Sequence, residues 1–166
     1  RPETVFGVTN VWVNPEATYA EAHVDGEKWI VSLETLEKLA DQLRNVSKIR
    51  EFKGRELVGK RVITVFTGVN VPVLPALFVD PSIGTGVVYS VPAHAPYDYM
   101  GLEDLKRNEN LLREYGLDPD EIRSIRPIPM ITTEKYGSNP SEKVVKELGI
   151  RDQSDPKLEE ATSLVY

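Results

Sequence analysis

The sequence predicts an α+β fold, a small β-barrel core with peripheral helices. Three observations carry that expectation. Short runs rich in β-branched and aromatic residues recur between residues 4 and 91. Turn-forming Gly, Pro, Asp and Asn separate them, as in small closed sheets. Beyond about residue 100, leucines fall at helical spacing instead.

The elements follow in order. Thr4–Val13 reads as the first strand, and Tyr19–Val24 and Lys28–Val31 as the next two. Asp25-Gly26 between the latter two is the strongest short-range hairpin signal a sequence offers. Ser32 is placed to cap a helix in which Leu33, Leu36, Leu39, Ala40 and Leu43 share one face. Strands are expected again around Ile49–Phe52, Arg61–Phe66, Val73–Val79 and Gly86–Val91. Pro72, Pro75 and Pro81 restrict their neighbours to edges, ends or bends.

The last third changes character. Tyr97–Tyr115 carries Leu102, Leu105, Leu111 and Leu112 at helical spacing, with Gly116 just past its end. Ile125–Ile131 reads as a strand broken by Pro127 and Pro129. Ser141 opens a short helix that stops at Gly149, and Asp155-Pro156 starts the final one. The expected organisation is one domain over residues 1–166. Residues 1–100 form its β-rich core with one helix, and residues 101–166 a helical appendage with a short strand. There is no internal repeat and no low-complexity tract.

Composition narrows the function. The 166 residues include 20 Lys and Arg, 26 Asp and Glu, 2 His and no Cys, for a formal charge of −6. Absent Cys excludes a disulfide scaffold, a thiolate metal site and a cysteine nucleophile. Two His exclude a His-rich metal site. No segment approaches the ~18 apolar residues of a membrane span, and nothing resembles a secretory leader. The chain opens at Arg1 without Met and reads as a piece of a larger, cytoplasmic protein.

Charge is uneven along this acidic chain. Residues 44–61 hold Arg44, Lys48, Arg50, Lys53, Arg55, Lys60 and Arg61 against Glu51 and Glu56 alone. Such a stretch suits nucleic-acid phosphates, or it is simply a solvated face beside a helix.

The richest segment runs from Gly84-Thr85-Gly86 through Val87-Val88-Tyr89-Ser90-Val91 to Pro92-Ala93-His94-Ala95-Pro96-Tyr97-Asp98. Gly84 and Gly86 permit either a plain tight turn or a loop with amides near a ligand. The glycine spacing and following Lys of a phosphate loop are missing. Asp98 follows Pro96 at a helix start, as a simple cap or as a binding carboxylate stabilised by the helix dipole. Ser90, His94 and Asp98 do not make a hydrolase triad, since all three come from one short segment and no G-x-S-x-G elbow is present. His94 and Asp98 alone lack the further ligands a metal requires.

Together these motifs carry a resemblance. Arg1-Pro2-Glu3-Thr4-Val5-Phe6-Gly7-Val8-Thr9-Asn10, Trp12-Val13-Asn14-Pro15-Glu16-Ala17, Gly84-Thr85-Gly86-Val87-Val88 and the Pro92 to Asp98 spacing resemble the editing insertion of class I aminoacyl-tRNA synthetases. The detail favours leucyl-tRNA synthetases of the archaeal and eukaryotic type, over essentially the whole chain. The resemblance implies a barrel-cored domain that hydrolyses the ester of tRNA(Leu) mischarged with isoleucine, methionine or norvaline and spares leucine. It implies that Thr4 blocks leucine and that Asp98 holds the substrate's α-ammonium. Tyr89, Val91 and His94 would line the amino-acid pocket, and Gly84, Thr85 and Gly86 the loop beside it. Arg1 would lie near the tRNA 3′ end. The family's threonine-rich strand begins before Arg1, so contacts made by its start are missing.

The same resemblance implies no cofactor in this domain, an ATP-using parent ligase, and partnership with tRNA(Leu) and the rest of that synthetase as a monomer. Alternatives are the editing domain of an isoleucyl- or valyl-tRNA synthetase, or a non-catalytic tRNA-docking module using the Arg44–Arg61 stretch. The chemistry is coherent. An aminoacyl ester carries one cation, and a cation in a pocket needs a counter-charge. Thr4 is stiff at χ1 and suits a fixed wall.

Overall fold

The computed structural model describes residues 2–42 and 44–165. A 3-10 helix, Pro2–Gly7, precedes β1 (Asn10–Val13), β2 (Thr18–Val24) and β3 (Glu27–Ser32). Then come α1 (Leu33–Asp41), β4 (Val46–Lys53), a 3-10 turn at Gly54–Glu56, β5 (Arg61–Ile63), β6 (Asn70–Pro75) and β7 (Val87–Ser90). Helices α2 (Pro96–Arg107), α3 (Glu109–Glu114), α4 (Pro119–Ser124), α5 (Pro140–Leu148) and α6 (Lys157–Val165) complete the order. The fold is thus mixed, with two sheets and six α-helices among the described residues.

The strands pair as a four-stranded sheet of order β5-β6-β1-β7 and a three-stranded sheet of order β3-β2-β4. No closed barrel is found among the described residues. The β2–β3 hairpin follows the sequence closely. Val24 pairs with Glu27, leaving Asp25 and Gly26 as a two-residue turn with φ of 50° and 89°. Positive φ at both positions gives the turn the twist that matches its strands. Central β2 pairs antiparallel with β4 as well, with a register shift between Glu21 and Ala22.

The chain divides into two compact units. One comprises residues up to Val11, Arg61–Pro72 and Tyr89 onward; the other comprises Trp12–Lys60 and Val73–Val88. Each has its own apolar centre. In the first, Met100 from α2 meets Val144 and Val145 of α5 and Leu158, Ala161 and Val165 of α6. In the second, Ala20, Ala22, Val24 and Val31 of the hairpin pack with Leu36 of α1, while Leu33 and Leu39 flank them. Ala40 is exposed, so the buried stripe of α1 is narrower than its apolar spacing suggests. Leu43 lies outside the described residues.

Several expected elements take another form. Thr4–Val13 is not one strand: its first part is the 3-10 helix and only Asn10–Val13 is extended. β-Propensity is a weak preference that tertiary packing overrides. The strand expected to reach Phe66 stops at Ile63, because Thr64 closes a tight turn with Val69. Its amide donates to the Val69 carbonyl at 2.9 Å, and its Oγ1 accepts the Val69 amide at 3.0 Å. The strand expected at 73–79 lies earlier, at Asn70–Pro75. Tyr97–Tyr115 is two helices, since Asn108 leaves helical geometry and its side chain caps α3 by accepting the Leu111 amide at 3.0 Å. Asparagine competes with helix backbone in this way.

Ile125–Ile131 forms no strand. Pro127 and Pro129 lack amide hydrogens at alternating positions, which removes the donors a ladder needs. The last two amides of that stretch go instead to a histidine.

Candidate functional site

Asp98 occupies the first turn of α2. Pro96 opens this helix, suited to a position where no amide is required. Ala95 at the cap position offers no side-chain oxygen. The carboxylate is 5% exposed, and a charge buried to that degree is costly unless bonded. Its Oδ2 accepts the Val91 amide at 2.8 Å, and the helix dipole adds to its stabilisation. Val91 is itself fixed, because its carbonyl accepts from His94 at 2.9 Å and Ala95 at 3.0 Å. The result is a short, rigid loop whose acidic group is bonded outside its own helix.

The neighbouring residues take distinct places. His94 is 2% exposed, and its Nε2 accepts the Met130 amide at 2.9 Å and the Ile131 amide at 3.4 Å. Val91 and Tyr89 are half-buried, and the Tyr89 hydroxyl accepts the Val65 amide at 3.2 Å. Thr4 is half-buried in the 3-10 helix. Thr4, Tyr89, Val91, His94 and Asp98 all belong to the first compact unit. Arg1 lies outside the described residues.

Gly84, Thr85 and Gly86 belong to the second unit, where their loop is held through its carbonyls. Tyr19 Oη donates to Gly86 O at 2.6 Å, Thr35 Oγ1 to Gly84 O at 2.6 Å, and Lys38 Nζ to Ser82 O at 2.5 Å. Ser32 contributes twice, with Oγ donating to Pro81 O at 2.5 Å and its amide to Thr85 O at 2.8 Å. Gly86 has φ of 70°, and a Cβ there would lie 2.7 Å from Ser32 Cβ, so only glycine fits. Trp29, Thr35, Lys38, Leu39, Gln42, Ser82, Gly84 and Thr85 border a cleft of about 280 Å³ within this unit.

Sequence reasoning missed these supports. Ser32 is legible as a helix cap, yet its bond to Pro81 spans 49 residues and leaves no local pattern. The Met130 and Ile131 amides leave none either.

The basic stretch turns out to be largely neutralised. Arg44 pairs with Asp25 at 2.6 Å, Arg50 with Glu21 at 2.9 Å, and Arg55 with Glu16 at 2.9 Å. Lys48 pairs with Glu51 and Arg61 with Glu121, while Lys53 donates to the Glu16 carbonyl. Among the described residues, no group of three or more His, Cys, Asp or Glu is placed to hold a metal ion, and no helix is long and apolar enough to cross a membrane.

Comparison with known proteins decides the family. Residues 1–109 match the family model of the leucyl-tRNA synthetase editing domain. The chain is 51% identical to the leucine–tRNA ligase of Pyrococcus horikoshii, over 100% of its own length and 18% of that protein. The chain belongs to the leucyl-tRNA synthetase editing-domain family. It is also 51% identical to the leucine–tRNA ligase of Methanothrix thermoacetophila, over 100% of this chain and 17% of that protein. It therefore spans less than a fifth of these curated relatives.

Solved editing domains share the fold. A structure described as GlLeuRS-CP1 matches with a TM-score of 0.86 at 30% identity, covering 100% of this chain and 65% of that one. The Plasmodium falciparum cytosolic leucyl-tRNA synthetase editing domain matches in fold with a TM-score of 0.90 at 22% identity, covering 99% and 63%. The expectation of a leucyl-type editing domain, drawn from the Thr4 and Gly84–Asp98 motifs, is met.

Proposed function

We propose that this chain hydrolyses the aminoacyl ester of tRNA(Leu) bearing isoleucine, methionine or norvaline, and spares leucine. The observation that carries the reading is Asp98, a carboxylate 5% exposed in the first turn of α2 and bonded to the Val91 amide outside that helix. A carboxylate fixed in this manner is suited to receive an ammonium group, whose desolvation needs a countercharge.

In this reading Asp98 holds the α-ammonium and Thr4 forms the wall that leucine cannot pass. Tyr89 and Val91 line the amino-acid pocket, and Arg1 meets the tRNA 3′ end. Water attacks the ester carbonyl carbon, the bond to the ribose oxygen breaks, and free amino acid and free tRNA result. No side chain of the site stands out as a general base, so the neighbouring ribose hydroxyl orients the water, and the protein contributes positioning. The step uses no cofactor. A second site is required because pockets distinguish amino acids by one methylene with only ~1–3 kcal/mol, a general figure established on synthetases of this kind.

The parent enzyme would be a cytoplasmic, monomeric ligase that uses ATP for charging. A docking module built on residues 44–61 is disfavoured by the ion pairs that occupy most of its cations. The test is deacylation of Ile-tRNA(Leu), Val-tRNA(Ile) and Thr-tRNA(Val) by the full synthetase. The reading expects hydrolysis of the first well above the other two. Equal or preferred hydrolysis of either other substrate would assign the domain to a sibling specificity, and none at all would leave only docking.

A further inference from the structure

The segment 128–131 has no role in the reading above, yet two observations tie it to the residue proposed to exclude leucine. The first is how closely it approaches Gly7. A Cβ added to Gly7 would lie 3.0 Å from the Ile128 carbonyl oxygen and 3.1 Å from Met130 Cγ. Gly7 ends the 3-10 helix that carries Thr4, one turn away, so this end of the helix lies against the Ile128 carbonyl and the Met130 side chain. The second is how the segment is held. It pairs with no strand, and its Met130 and Ile131 amides converge on His94 Nε2 at 2.9 and 3.4 Å. An imidazole nitrogen that accepts carries no proton, so the ring's proton sits on Nδ1.

We propose that residues 128–131 are the seat of the leucine-excluding wall, and that His94 is a positioning residue which fixes this seat. The proposal rests on the Thr4 reading and deepens it. His94 sets the backbone at Met130, Met130 and Ile128 set Gly7, and Gly7 sets the turn that bears Thr4. All of these residues belong to one compact unit. A wall that sorts side chains differing by the position of one methyl group must be held to a fraction of an ångström. Gly7 permits that contact, because an added Cβ would require the Ile128 carbonyl or the Met130 side chain to give way by a few tenths of an ångström.

The test is made in the full synthetase by comparing deacylation of Leu-tRNA(Leu) with that of Ile-tRNA(Leu). His94→Met keeps the bulk and leaves only a weak thioether acceptor, and the Leu-to-Ile rate ratio is expected to rise about tenfold, the size of effect a loosened one-methylene sieve produces. His94→Gln places an amide oxygen near the Nε2 position and is expected to return the ratio close to that of the unaltered enzyme. Gly7→Ala lifts the helix from the other side and is expected to raise the ratio with His94 intact. Should His94→Met not fold, Gly7→Ala decides alone.

A ratio unmoved by these changes, while Thr4→Ala raises it, overturns the seat and leaves the wall standing. A ratio unmoved by Thr4→Ala as well removes the wall itself. Gln as permissive as Met overturns the acceptor role of His94. General destabilisation would slow both substrates together and leave the ratio where it was.

Discussion

Helices α1 and α2 begin in opposite ways. At α1 the cap residue Ser32 turns its hydroxyl onto its own helix, accepting the Thr35 amide at 3.2 Å, and also onto the 81–86 loop. At α2 the cap residue is Ala95, which offers nothing, and the acidic residue of the first turn reaches out of the helix to Val91. A helix start that uses its polar group on itself is architecture. One that leaves its cap empty and buries a carboxylate against a loop gives up local stability, and the proposed ammonium site is what that arrangement would serve.

Asp98→Asn breaks this comparison most sharply. Asparagine can still accept the Val91 amide, so the loop keeps its bond while the charge is lost. Deacylation of Ile-tRNA(Leu) by the full synthetase is expected to fall about 100-fold or more, the scale of loss when a reacting group is no longer held in place. A rate within a few-fold of the unaltered enzyme would make Asp98 as architectural as Ser32.

The second unit offers a purely structural counterpart in Gly54. A Cβ at that position would lie 2.0 Å from the Asn14 carbonyl oxygen and 2.8 Å from Tyr19 Cε2. Both atoms are fixed, since Tyr19 Oη donates to Gly86 O and accepts the Asn14 amide at 3.0 Å. Gly54→Ala is expected to cost about 1–3 kcal/mol, as overpacking does, read as a drop in melting temperature. An unchanged melting point would show that the Asn14 turn yields freely.

Ser32→Ala comes next. Loss of an N-cap hydroxyl costs about 1 kcal/mol, and the Pro81 carbonyl loses its donor as well. The melting temperature should fall while the Leu-to-Ile deacylation ratio stays put, because this residue supports a loop rather than the wall. A shift in that ratio would move α1 from architecture into the site.

The same contrast explains what could be read beforehand. Asp25-Gly26, the Ser32 cap, Gly149 at φ 64° and Asp155, whose Oδ1 accepts the Lys157 amide at 3.0 Å, are local devices whose partners lie within a few residues. Each was legible. The break at Asn108 was not, because apolar spacing runs through it while one side-chain bond decides the geometry. Likewise, proline alternates with apolar residues over 127–130, and only the partner of the Met130 and Ile131 amides, His94 at a separation of 36 and 37 residues, tells support from strand. The roles proposed for Thr4 and Asp98 come from the family motif, whereas the bonds that hold the Gly84–Gly86 loop are non-local.

The smallest effect lies at the hairpin turn, where a carboxylate is exposed rather than buried. The Arg44 guanidinium beside Asp25, and then the Asn45 amide, hold its carboxyl below the ordinary carboxylate range. A folded pKa lowered in this way adds stability above the unfolded value of about 3.9 and loses it as pH falls through the folded value. Asp25→Asn suits the positive φ of 50° and removes the charge alone. At low salt its melting temperature should lie slightly below that of the unaltered chain at pH 7, and the gap should narrow as pH falls below the ordinary carboxylate range. If the gap persisted at low pH, the turn's preference for aspartate would lie in backbone geometry. The charge of Arg44 would then be available to a partner, which would reopen the case for residues 44–61 as a phosphate-facing surface.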